Sequence, residues 1–80
     1  RTSALVTIDG SYNLLTSLEP LDKLDALNYV YMDYNPEISR ISFLADNPNM
    51  VQINVFGSKV STSQANQCLD RSIIVNYDPT

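Results

Sequence analysis

The side chains that could carry chemistry in this sequence are few and far apart. There is no histidine and only one cysteine, Cys68. That excludes an internal disulfide, a multi-cysteine metal site, and most transition-metal and catalytic-triad arrangements. Cys68 sits between the neutral residues Gln67 and Leu69, with nothing basic adjoining it to favour a thiolate, so it reads as a small apolar residue. The two glycines, Gly10 and Gly57, are too distant to form a phosphate loop. Asp22 and Asp25 flank Lys23 in a leucine-interleaved segment and read as a solvated face. Asp9 and Asp33 are different, because both fall on strand-like segments. Two carboxylates on one sheet face could serve in acid catalysis or bind calcium, although no loop spacing joins them into a metal site. No cofactor and no metal is expected.

The elements that must position these groups recur along the chain. One window reads Leu5-x-x-Ile8-x-Gly10-x-x-Asn13-x-Leu15. A second, displaced by 22 residues, reads Leu27-x-x-Val30-x-Met32-x-x-Asn35-x-x-Ile38, and a third, 23 further on, reads Met50-x-x-Ile53-x-Val55-x-x-Ser58-x-Val60. The fourth and sixth places of each window point the same way, as in a short strand. An Asn at the ninth place suits a chain turning out of that strand, because its amide can satisfy backbone groups the turn frees. Leu15, Leu18, Leu21, Leu24 and Leu27 then place an apolar residue at every third position, and Ile38, Ile41 and Leu44 continue the beat. That spacing suits a 3₁₀-like or short helical return, opened in the first case by Ser17 before Leu18-Glu19-Pro20. Taken alone, Leu15 to Leu27 could also be an amphipathic helix. A strict period of three drifts around a 3.6-residue helix, however, and Tyr29 to Met32 and Val51 to Phe56 have strand composition.

With Leu27, Val30 and Met32 inward, Tyr29, Tyr31 and Asp33 face outward. The equivalent places are Thr7, Asp9 and Ser11 in the first window and Gln52, Asn54 and Phe56 in the third. Stacking sets Tyr29 between Thr7 and Gln52, Tyr31 between Asp9 and Asn54, and Asp33 between Ser11 and Phe56. Aromatics mixed with amides and carboxylates have the composition of a recognition surface.

The 22-residue beat and the leucine ladder resemble the leucine-rich repeats of bacterial internalins and of phosphatase regulatory subunits in the same repeat class. The resemblance covers residues 4–60. It implies an α/β fold: a leucine-rich repeat solenoid fragment of about three repeats, with short parallel strands and 3₁₀ or short helical returns. Residues 61–80 are expected to form a C-terminal capping segment and an exit to a linker. Gly10 departs from the pattern by replacing an inward apolar residue, and Ser58 by replacing the turn Asn. In the tail, Ser61, Ser63 and Gln64 suggest a cap before a helix reaching Leu69, and Ser72 to Tyr77 has strand composition. A 22-residue step puts Val75 and Tyr77 inward and a 23-residue step puts Ile73 inward; both remain open.

Composition narrows the partners. The formal net charge is -4 with five Lys and Arg, which gives no electrostatic footprint for nucleic acid and no basic amphipathic stretch for an anionic membrane. No apolar run reaches a membrane-spanning length. The chain opens at Arg1 with no apolar leader, as expected of a processed piece of a larger protein. The function expected is a non-catalytic recognition module of a bacterial surface or secreted protein. Its concave face, carrying Asp9, Tyr29, Tyr31, Asp33, Gln52, Asn54 and Phe56, would bind a protein or glycan. A structural spacer beside an adhesion domain and an intracellular regulatory scaffold are the alternatives, with an enzyme further behind. The uncapped edge around Leu5, Ile8 and Leu18 is expected to be covered by further repeats or by self-association.

Overall fold

The computed structural model describes residues 6–78, so Leu5 lies outside the described residues. Four short strands, β1 (Val6–Asp9), β2 (Leu27–Tyr31), β3 (Gln52–Asn54) and β4 (Ile74–Asn76), form one parallel sheet in sequence order. Parallel neighbours require a crossover. Here the crossovers are 3₁₀ helices at Glu19–Lys23 and Ser42–Asp46 and an α-helix, α1 (Thr62–Leu69), each packed against the next. The chain is thus a small α/β arrangement with a parallel sheet and short helical returns.

The register aligns Ile8, Val30, Ile53 and Val75 in one row across the sheet. Val30, Ile53 and Val75 are buried, together with Leu27, Met32, Met50, Val55 and Ile73, and Ile8 packs partly buried against them. An extra residue in β2, Asn28, breaks the β1–β2 ladder between Val6 and Thr7. Its own side chain repairs the gap, with Oδ1 accepting the Val6 N–H (2.9 Å) and Nδ2 donating to the Asn49 carbonyl (2.8 Å).

The turns after β1, β2 and β3 are closed in the same way. Asn13 Nδ2 donates to Gly10 O (2.7 Å), Asn35 Nδ2 to Met32 O (3.1 Å), and Ser58 Oγ to Val55 O (2.7 Å). Asn35 is fully buried and also ties the turn after β2 to the one after β1, each strand with its return being called a unit below, by donating to Gly10 O (3.0 Å) and accepting the Leu15 N–H (3.1 Å). A hydroxyl at position 58 keeps the local bond but has no second arm for the link. The inward gap at Gly10 is filled from next door, since a Cβ there would lie 2.7 Å from Met32 Sδ.

The leucine ladder is only partly buried. Leu18 and Leu27 are enclosed, whereas Leu15 and Leu24 are 38% and 45% exposed. The equivalent residues one unit on, Ile38 and Asn47, are 0% and 7% exposed. The difference is one of neighbours, because among the described residues the second return is packed between the first return and α1, and the first against the second alone. Asn47 shows what a buried amide does at such a place: Nδ2 donates to Leu24 O (2.8 Å) and Oδ1 accepts from Asn49 N (3.0 Å).

Helix boundaries follow their local chemistry. The first return opens at Leu18 rather than Ser17, with Pro20 in its first turn, although Ser17 Oγ still accepts the Glu19 N–H (3.1 Å). Ser61 caps α1 by accepting from Gln64 N (3.3 Å). Gln64 Oε1 in turn accepts the Ile41 and Ser42 N–H groups, both at 2.9 Å, and so satisfies the donors that open the second return. The β3–β4 register follows the 22-residue step, with Val75 buried and Tyr77 partly buried; Ile73, just before β4, is buried as well.

Three residues adopt a left-handed backbone at matching places, Tyr12 (φ 62), Tyr34 (φ 61) and Gly57 (φ 70). Only the glycine takes this conformation without steric cost. A Cβ at position 57 would also lie 2.6 Å from Tyr34 Cδ1. Gly57→Ala is therefore expected to lower stability by ~1–2 kcal/mol. Gly10→Ala should cost less, because the flexible end of Met32 can move aside; thermal melts of the two variants check the order.

Candidate functional site

The sheet face opposite the core is built in rows. Thr7, Tyr29, Gln52 and Ile74 pair across the strands as one row, and Asp9, Tyr31, Asn54 and Asn76 as the next. A third row continues past the strand ends, where Ser11 Oγ accepts the Asp33 N–H (3.1 Å) and Asp33 Oδ1 accepts the Phe56 N–H (2.8 Å). All seven residues expected on this face therefore come together in these rows. Tyr29, Tyr31, Asp33, Gln52 and Asn54 are half-buried, and Phe56 and Asp9 are exposed.

Period-two alternation explains the placement. Val30, and Met32 just past the end of β2, take inward positions, which leaves Tyr29 and Tyr31 on the other side, and the extra residue Asn28 lets Leu27 face inward as well. Their rings lie nearly parallel, 6.2 Å apart and 17° from coplanar. Beside them Asn54 Oδ1 accepts from Gln52 Nε2 (3.0 Å) and from Asn76 Nδ2 (2.7 Å), which locks three amides into one strip. Aromatic rings beside fixed amides can stack on a planar or apolar group and hydrogen-bond its rim.

The carboxylates are held by the backbone. Asp9 Oδ1 accepts the Ser11 N–H (3.1 Å) and Asp78 Oδ2 accepts the Gly57 N–H (2.7 Å), as Asp33 does for Phe56. Among the described residues no group of three or more His, Cys, Asp or Glu side chains comes together to hold a metal. The ion pairs lie elsewhere: Arg40–Glu19 (3.5 Å), Lys59–Glu37 (3.1 Å) and Arg71–Asp46 (3.6 Å), all exposed. Each contributes little to stability. Cys68 is also remote from this face. It lies on the buried side of α1, with Sγ 3.4 Å from Ile41 O, and burial pushes its thiol up to about 11. The thiolate is the reactive form, and burial disfavours it.

Three residues extend the rows of the expected seven, and a tyrosine pair stands in the turns after β1 and β2. Ile74, Asn76 and Asp78 extend the three rows by 22 residues from Gln52, Asn54 and Phe56, and the count alone would find them once the tail register is known. Tyr12 and Tyr34 stack at 4.8 Å and 21°, with Tyr12 77% exposed. The signal for this pair is the recurring Tyr-Asn dipeptide at 12–13 and 34–35. Bulky residues held at positive φ are costly, and such strain clusters at functional sites. No family model, curated protein or solved structure matches this chain.

Proposed function

We propose that the chain is a stretch of internalin-like leucine-rich repeats, acting as a non-catalytic recognition module of a bacterial surface or secreted protein. The sheet face opposite the core, concave in such a stack, binds a protein or glycan. The observation that carries this reading is the tyrosine pair, Tyr29 and Tyr31, set beside the amide strip Gln52–Asn54–Asn76 on a face the core does not need. The cross-unit bonds of Asn35 and Asn28 at separations of 20–25 residues support the repeat reading.

Affinity at such surfaces concentrates in a few aromatic anchors. Tyr31, on the second strand between Asp9 and Asn54, is the central one. A glycan array and a random-peptide display library are screened with the chain, with Tyr31→Ala, and with Lys23→Ala on the first return as control. Ligands retained by the parent chain should lose about 30-fold in affinity with Tyr31→Ala, equivalent to ~2 kcal/mol, and nothing with Lys23→Ala. Equal retention by all three proteins would remove this face as the site and leave a spacer between neighbouring domains as the better account.

A further inference from the structure

Charge on the outer sheet face is one-sided. Asp9 pairs with Tyr31 across the β1–β2 ladder, and Asp33 follows Tyr31 by two residues on the same face. Adjacent strands lie ~4.8 Å apart, and residues two apart on one strand are separated by ~7 Å. A group seated on the Tyr31 ring would thus lie within reach of both carboxylates. In each, Oδ1 is held by a backbone N–H, while Oδ2 accepts no hydrogen bond from the described residues. No Lys or Arg stands in the three rows. Arg40, Lys59 and Arg71 are paired with Glu19, Glu37 and Asp46.

We propose that the occupant of this face is a protein segment presenting an arginine, whose guanidinium stacks on Tyr31 between Asp9 and Asp33. The inference rests on the recognition reading above and names its partner class. A guanidinium fits better than an ammonium ion, because its plane can lie on the ring while its edge donates to carboxylates. A neutral glycan would leave two carboxylates covered without a counter-charge, at a desolvation cost. With a net charge of -4, the chain as a whole also attracts a basic segment.

The test is selection from a random-peptide display library, followed by affinity measurements on the enriched sequences. Peptides enriched in arginine are expected. Replacing that arginine with citrulline, which keeps the shape and removes the charge, should weaken binding about tenfold or more. Asp9→Asn and Asp33→Asn each keep an oxygen for the Ser11 and Phe56 N–H groups, so the fold survives; each should weaken the arginine peptide about fivefold. Asp22→Asn, on the first return, should change nothing. No arginine enrichment, or equal binding of the citrulline peptide, overturns the proposal. If selected peptides or array glycans lack a cation yet lose affinity with Tyr31→Ala, the arginine assignment fails and the recognition face stands. If binding ignores Tyr31→Ala as well, both fail.

Discussion

Asn35→Ala should lower the free energy of unfolding by about 3 kcal/mol, although the substitution removes no apolar surface. Asn35 is 0% exposed and its amide makes bonds in two directions, to Met32 O within its own turn and to Gly10 O and Leu15 N in the neighbouring unit. Alanine leaves Met32 O and the Leu15 N–H without their partner, at ~1–3 kcal/mol for each one buried, while Gly10 O keeps its bond from Asn13 Nδ2. Leu15 is partly exposed, so water recovers some of that loss. Asn35→Ser gives the internal comparison. Ser58 holds Val55 O at the equivalent place, so serine should restore the bond within the turn and not the link between units. Urea denaturation of the three proteins checks the order parent, Ser, Ala. A loss below ~1 kcal/mol for alanine would mean that Asn35 is a passenger in the turn.

Met32→Ala should cost ~2–5 kcal/mol. Met32 is buried beside the Gly10 backbone, where its sulfur occupies the space that an inward side chain on β1 would otherwise fill. Truncation therefore opens a cavity that two units share, and Gly10 has no side chain to close it. Met32→Leu keeps most of the volume and should cost under ~1.5 kcal/mol. Tyr31→Ala next door should cost only ~0.2–1 kcal/mol, since it removes cross-strand packing on the outer face. The same denaturation series measures all three. A reversed order, with Tyr31→Ala the more damaging, would require the strand register to be shifted by one residue.

The strands were legible in the sequence because two independent signals agreed there. Alternation separated Val30 and Met32 from Tyr29 and Tyr31, and the 22- and 23-residue displacements set their neighbours side by side. The seven outer-face residues followed from that agreement. The tail did not follow, for a geometric reason. Its return is an α-helix, which rises ~1.5 Å per residue against ~2.0 Å in a 3₁₀ helix, so the residue count of the earlier returns need not carry over. Met50 to Ile73 is 23 residues while Ile53 to Val75 is 22, and both ends are buried. The bonds between units were also hidden. Asn28 and Asn47 look like ordinary polar residues in a strand and a turn until their amides are seen to reach the neighbouring unit. The left-handed tyrosines escaped notice because no local preference places Tyr there. What the residues do for a partner was legible only as a surface composition.

The sequence-ordered sheet has a mechanical consequence. Because strand order equals chain order, tension applied at Val6 and Asp78 acts across the strands rather than along them. The ladder between two strands is then loaded one hydrogen bond at a time, like a zipper, instead of all at once in shear. Each strand with its return would come away as a separate step, releasing 22 or 23 residues and about 80 Å of slack. Under load such an arrangement should act as a shock absorber, lengthening in increments at low force while the strands still paired keep their outer face in place.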